Sequence, residues 1–218
     1  MTRIVTFDPN IPGNLDSVVD VLRTGALALL PTETVYGVGV CVGAYGECSQ
    51  APGPQTGYGR IFTLKRRDVA QTVPWLVGGV EDLDRYGEDV APEIRALAAA
   101  FWPGALTLVV KASSSVPAFM RAADNTVALR ASASPVIQYL VRACGSPLAV
   151  TSANTHGAPA PSSFAAAERR IVEGVDIAVD AGVTTCRDAS TIVAVRDGKL
   201  EVLREGAISA SQVKAAIV

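Results

Sequence analysis

A chain of 218 residues with 49% hydrophobic and 18% charged residues can bury a sizeable core, which excludes a disordered tail or linker. Lysines and arginines number 19 against 21 acidic residues, a formal charge of −2. Nucleic-acid binding driven by net charge is therefore disfavoured, and any anion must be held by a local gathering of cations. The one histidine, His156, excludes sites that need two imidazoles. No Gly-x-Ser-x-Gly elbow accompanies it, so it reads as a polar loop residue beside Gly157. Cysteines 41, 48, 144 and 186 show no two-residue spacing and read as isolated reduced thiols in or near the core. The start has no leader pattern, and no apolar run approaches the ~18 residues of a membrane span, so a soluble, cytoplasmic protein is expected.

In chain order, Ile4–Phe7 predicts a strand. Asn14 or Asp16 is placed to cap a helix with Leu15, Val18, Val19 and Leu22 on one side, ending at Gly25. Ala26–Leu30 predicts a buried strand closed by Pro31, followed by the polar stretch Thr32–Gly37. Residues 43–59, with five glycines and two prolines, predict a loop. Regular pattern resumes at Ile61–Lys65. A strand is expected at Val73–Val77, helices at Val80–Tyr86 and Ala91–Phe101, and strands at Leu106–Val110 and Val127–Arg130. Beyond these come a helix over Pro135–Cys144, a strand over Leu148–Thr151 and a helix over Ser163–Glu173 capped by Ser162 or Ser163. Strands at Asp176–Asp180, Thr191–Val195 and Leu200–Leu203 precede a last helix at Ser209–Ile217. No linker or repeat divides the chain, so one mixed α/β domain over residues 1–218 is expected.

No Walker A sequence and no dinucleotide fingerprint is present, and Gly37 and Gly39 read as turn or close-approach glycines. Lys65, Arg66 and Arg67 follow an apolar segment, and Arg130 and Arg204 each end a predicted strand. Cations at strand ends can converge on one mouth of an open sheet, where they could hold a polyphosphate. Taken alone, Lys65–Arg67 reads equally as a solvated basic patch. Ser152-Ala153-Asn154 offers a hydroxyl and an amide to phosphate or ribose, or is simply a cap or turn.

Seven strings in order resemble the Sua5/YrdC/YciO family from about Asp16 to Ile208. They are Pro31-Thr-Glu-Thr-Val-Tyr-Gly37, Lys65-x-Arg67, Phe101-Trp-Pro-Gly-Ala-Leu-Thr107, Val127-Ala-Leu-Arg130, Thr151-Ser-Ala-Asn154 with Gly157, Ser190-Thr-Ile-Val193 and Arg204-x-Gly206. The resemblance, to the short YrdC-like form, implies an α/β fold: an open, twisted, mixed sheet with flanking helices around a basic concave cavity (YrdC/RibB-like). It implies synthesis of L-threonylcarbamoyl-adenylate from L-threonine, bicarbonate and ATP, a nucleotidyl transfer that releases pyrophosphate. A separate tRNA threonylcarbamoyl transferase then uses the product at adenosine 37. Carried over by position, Lys65 and Arg67 would be catalytic and would hold the triphosphate. Thr32, Thr34, Tyr36, Arg130 and Ser190 would form the threonine pocket, with Arg130 as a bidentate partner of the carboxylate. Thr126, Ser152, Asn154 and Arg204 would contact the nucleotide. Mg²⁺ would arrive bound to ATP and need no carboxylate cage.

The chain departs from the family pattern in places. Cys41–Gly59 is rich in Gly and Pro, and Asp68 stands where Pro follows the Lys-x-Arg motif. Arg130-Ala-Ser-Ala-Ser-Pro135 replaces Arg-x-Pro-x-His-Pro, and Cys186-Arg-Asp-Ala precedes Ser190. These changes leave two alternatives: an enzyme of specialised metabolism that forms another carbamoyl-adenylate or transfers a carbamoyl group, and a double-stranded RNA-binding module using the same concavity.

Overall fold

The computed structural model describes residues 2–11, 13–155, 157–196 and 198–217; His156 lies outside them. The longest apolar runs become strands covered on both faces, as a sheet sandwiched between helices requires. β2 (Ala28–Pro31) and β3 (Tyr36–Cys41) are buried at every position. β8 (Leu148–Ser152) and β9 (Ile177–Asp180) are nearly so. The remaining strands are β1 (Arg3–Thr6), β4 (Trp75–Leu76), β5 (Gly87–Glu88), β6 (Leu106–Ala112), β7 (Thr126–Arg130), β10 (Thr191–Arg196) and β11 (Lys199–Arg204).

All belong to one mixed sheet of order β1-β9-β2-β3-β8-β4-β7-β6-β10-β11, with β5 paired to β6. The two residues of β4 bridge its halves: Trp75 pairs antiparallel with Ala149 of β8 and parallel with Leu129 of β7. The helices are α1 (Asp16–Arg23), α2 (Gly57–Lys65), α3 (Asp82–Tyr86), α4 (Pro92–Phe101), α5 (Pro135–Cys144), α6 (Arg169–Glu173) and α7 (Ala210–Ala215). Among the described residues no helix is long and apolar enough to cross a membrane.

The pleat sorts side chains into two cores. Leu27, Leu29, Val38 and Val40 face Ile61 and Phe62 of α2, Leu97 of α4 and Val213 of α7. Ala28, Leu30, Leu148 and Val150 face Val18 and Leu22 of α1 and Ile137 and Leu140 of α5. On this second face β3 presents Gly37 and Gly39. A Cβ at Gly39 would lie 2.4 Å from the Ala149 carbonyl oxygen, and one at Gly37 would lie 2.5 Å from Val150 Cγ1. Both are close-approach glycines, one of the two alternatives the sequence left open.

Several expectations are corrected. The cap of α1 is Leu15, which makes no side-chain bond; Asn14 donates instead to the Thr6 carbonyl, and Asp16 lies in the first turn. The irregular stretch is shorter than 43–59. A 3-10 turn covers Val42–Tyr45, and α2 begins at Gly57, capped by Thr56. Glycine at 57 and 59 lets the first turn of α2 lie against backbone, since a Cβ at Gly57 would sit 2.2 Å from the Gly25 carbonyl oxygen. The helix expected over Ser163–Glu173 is divided into a 3-10 turn Phe164–Ala166, capped by Ser163, and α6. All four cysteines are free, but Cys48 and Cys186 are exposed, and Cys41 and Cys144 lie beside each other rather than standing isolated.

The β10–β11 ladder is irregular. Val193 pairs with Val202, yet Ile192 pairs with Arg204, so Leu203 is an extra residue. Such a bulge turns the following side chain to the other face of the strand.

Gly39→Ala should test the packing of β3 on β8. The added methyl meets backbone, which cannot give way as a side chain can, so a loss of about 2 kcal/mol or more is expected. A urea midpoint equal to wild type would contradict the close approach.

Candidate active site

On the face shared with the second core, the sheet encloses a hollow of about 320 Å³. Registered neighbours build one wall. Leu76 of β4 lies beside Arg130 of β7, and Thr107 of β6 lies beside Ile192, which lies beside Arg204 of β11. The Thr32–Val35 turn, Gly37 of β3 and Val150–Asn154 of β8 form the opposite wall, and Ser190 stands at the rim. The expected convergence of strand-end cations is thus met by Arg130 and Arg204.

The Thr32–Val35 turn is held from within. Thr32 Oγ1 donates to the Val35 carbonyl at 2.6 Å, accepts from the Thr34 and Val35 amides, and lies 2.8 Å from Thr34 Oγ1. Thr34 then accepts from Arg130 Nη2 at 3.0 Å. Arg130 Nε donates to the Gly104 carbonyl at 3.0 Å, and the Gly104 amide donates to the Ala131 carbonyl, so the Phe101–Thr107 string wraps the guanidinium.

Glu33 completes the cluster, and the family motif alone did not single it out for the site. Its Oε1 lies 2.6 Å from Arg130 Nη2, and Ser132 Oγ donates to Oε2. Burial pushes the Glu33 carboxyl upward, but the Arg130 charge and the Ser132, Arg130 and Ala133 donors outweigh it and hold the group below its ordinary value. Ser132 and Ser134 stand where the family pattern has Pro and His. Ser134 caps α5 and donates to the Pro31 carbonyl at 3.0 Å. A signal for Glu33 was present: a lone acid between two threonines in an otherwise uncharged string.

Ser190 Oγ lies 2.9 Å from Thr107 Oγ1, and Arg204 donates to the Ser190 carbonyl through Nε and Nη2. Burial and the neighbouring Arg130 lower the Arg204 pKa. A Cβ at Gly206 would lie 2.2 Å from the Ala189 carbonyl oxygen, so the Arg204-x-Gly206 and Ser190–Val193 strings form one structural unit.

Lys65 and Arg67 sit beneath the Thr151–Asn154 wall. Lys65 Nζ, only 2% exposed, donates to the Ser152 carbonyl (2.5 Å), the Asn154 carbonyl (2.8 Å) and Asn154 Oδ1 (3.2 Å). These acceptors match the three protons of an ammonium. Burial, then Arg67, brings its pKa down to about 8. Arg67 donates to Thr151 Oγ1 at 3.0 Å and to the Thr72 carbonyl, while its buried Nε has no hydrogen-bond partner among the described residues. Lys65 and Arg67 are therefore not the solvated patch they could have been, whereas Arg66 between them is exposed.

Three assignments change in detail. Thr126 begins β7 whereas Arg130 ends it, about 13 Å along a strand. Thr126 bonds to Asp124 and borders a separate hollow with Glu88 and Arg196, so the structure does not bring it to the site. Tyr36 borders the hollow, but its hydroxyl donates to the Gly182 carbonyl and accepts from the Ala181 amide. The Asn154 amide donates to the Thr155 and Ala158 carbonyls, closing a turn, so only the unbonded Ser152 hydroxyl of that triplet is free among the described residues. No group of three or more His, Cys, Asp or Glu among the described residues could hold a metal ion.

The comparisons with known proteins agree with this geometry. A family model described as "Telomere recombination", for Sua5, YciO and YrdC proteins, matches residues 20–206. The chain belongs to the Sua5/YciO/YrdC family. The threonylcarbamoyl-AMP synthase of Vibrio cholerae serotype O1 is 34% identical over 196 residues, covering 88% of this chain and 97% of that protein. Pyrococcus abyssi Sua5 crystallised with L-threonine superposes with a TM-score of 0.87 at 27% identity, covering 100% of this chain and 61% of the longer archaeal one. Escherichia coli YciO, at 21% identity and a TM-score of 0.81, shares the fold and covers 94% of this chain and 96% of its own.

The Lys65 environment gives a pH prediction. Its folded pKa lies below the unfolded value, so between about 8 and 10.5 the unfolded chain binds more protons and the folded state gains stability as pH rises. Wild type should gain relative to Lys65→Met across that window in urea titrations; a constant difference would show an unshifted amine.

Proposed function

We propose that the chain makes L-threonylcarbamoyl-adenylate from L-threonine, bicarbonate and ATP, acting as one unit, in the cytoplasm. The observation that carries this reading is the polarity of the hollow. At one end Arg130 is matched by Glu33, while Arg204 in the lining, and Lys65 and Arg67 behind the Ser152 wall, form no ion pair with a carboxylate among the described residues. The first end suits the carboxylate of a small zwitterion, and the second suits a polyphosphate. The similar Pyrococcus abyssi Sua5 was crystallised with L-threonine, which supports threonine as the amino acid.

Threonine's amine combines with bicarbonate, losing water, to give a carbamate. A carbamate oxygen then attacks the α-phosphorus of ATP, and the bond to the β-phosphate oxygen breaks to release pyrophosphate. The step needs alignment and neutralisation of charge on the phosphates, not an enzyme nucleophile. Lys65 and Arg67, behind the Ser152 wall, each offer a charge that a phosphate oxygen can claim in place of a backbone carbonyl. Mg²⁺ enters as the metal of the ATP substrate, held by phosphates and water. Arg204 and the Ser152 hydroxyl face the nucleotide. Thr32, Thr34 and Ser190 line the amino-acid end, and the product passes to a tRNA-modifying transferase.

Pyrophosphate release from ATP should require both threonine and bicarbonate. Arg67→Ala should lower turnover ~10²-fold or more, as expected for a group that stabilises transferring charge. Turnover with carbamoyl phosphate in place of threonine and bicarbonate would overturn the assignment. Wild-type turnover in Arg67→Ala would remove the residue from the mechanism.

A further inference from the structure

We propose that Glu33 and Ser132 are positioning residues that fix which corner of the Arg130 guanidinium receives the substrate carboxylate. The inference rests on Arg130 as the carboxylate ligand of the proposed reaction. A guanidinium has five N–H donors in a planar fork. The Arg130 Nε proton goes to the Gly104 carbonyl and Nη2 donates to Thr34 Oγ1 at 3.0 Å, while Glu33 Oε1 crowds the same Nη2 at 2.6 Å as an ion-pair contact without hydrogen-bond geometry. Only Nη1 makes no hydrogen bond among the described residues. The expected bidentate fork across both terminal nitrogens is therefore unavailable, and the carboxylate is received at Nη1.

Glu33 makes this choice because it is itself immobilised. Its side chain is 10% exposed, Ser132 Oγ and the Ala133 amide hold the carboxylate, and the Cys186 amide donates to the Glu33 carbonyl at 2.8 Å. Glu33 borders a neighbouring hollow with Pro135 and Val183 and is absent from the lining of the main one, so it acts through Arg130 rather than on substrate. The pair also sums to zero charge. Directed N–H groups then select the carboxylate, and a triphosphate gains nothing by binding at that end. Ser132, standing where the family pattern has Pro, supplies this chain with a hydroxyl for the purpose.

Steady-state kinetics and calorimetry on the full chain test the proposal with Glu33→Gln, which keeps the shape, and Ser132→Ala, which removes one hydroxyl. In Glu33→Gln the KM for threonine should rise ~10-fold, the scale expected of a misplaced ligand, while the KM for ATP stays within about twofold. Ser132→Ala should shift in the same direction by ~3-fold, the low end of what a typical net hydrogen bond is worth, because the hydroxyl acts on substrate only through Glu33 and Arg130. An unchanged or lower threonine KM in both variants overturns the proposal, because removing a negative charge without loss of positioning would tighten anion binding. Equal increases for threonine and ATP also overturn it, indicating a general structural role. Threonine affinity measured by calorimetry separates the two readings. If wild type binds threonine yet releases no pyrophosphate, the reaction fails while the affinity comparison still decides the role of Glu33. If wild type does not bind threonine, both readings fail.

Discussion

A guanidinium drawn out of water at the end of a strand must be answered by its surroundings, and much of this molecule is organised around answering Arg130. Two distant segments supply the partners: the Thr32–Val35 turn, through the Thr34 hydroxyl and the Glu33 carboxylate held by Ser132, and the Gly104 carbonyl. Each is fixed in turn, Thr34 by its neighbour Thr32, Glu33 by Ser132 and Gly104 by Ala131. Removing one member of a buried ion pair strands the other, at a cost of about 3–5 kcal/mol, whereas the intact pair contributes little net stability. The cluster therefore fixes geometry more than it stabilises the fold.

The second cationic group follows a different rule. Lys65 is satisfied by carbonyls rather than by acids, so its positive charge is held in place without being cancelled. Arg67 and Arg204 repeat the arrangement, on Thr72 and on Ser190 respectively. A chain of net charge −2 can thus assemble a locally cationic wall without a basic surface.

Strand and helix placement was legible because the buried runs are long and their flanks carry Gly, Pro and Ser. The Pro135–Cys144 helix and its Ser134 and Gly145 ends follow directly from capping chemistry. The α2 start was not legible. Gly57 and Gly59 carry the composition of a loop, and only the closeness of the Gly25 and Gly53 carbonyls explains their place in a helix. In the site, strand ends announced Arg130 and Arg204. The confinement of Thr126 to the far end of β7 depends on which end of a strand opens on the hollow, and local pattern does not encode that. The Tyr36 hydroxyl and the Asn154 amide were misjudged for a related reason: a polar group in a binding motif can be spent entirely on backbone.

Arg204 illustrates how small a change of count can redirect chemistry. Continued regularly from Val193 and Val202, the β10–β11 ladder would set Leu203 beside Ile192 and turn the arginine towards the opposite side. One surplus residue reverses that outcome, leaving Leu203 43% exposed and setting the cation on the side of the hollow. Length in this hairpin is accordingly constrained more tightly than side-chain identity. Losing a single residue there would turn Arg204 away from the hollow while every amino acid named in the motif was still present.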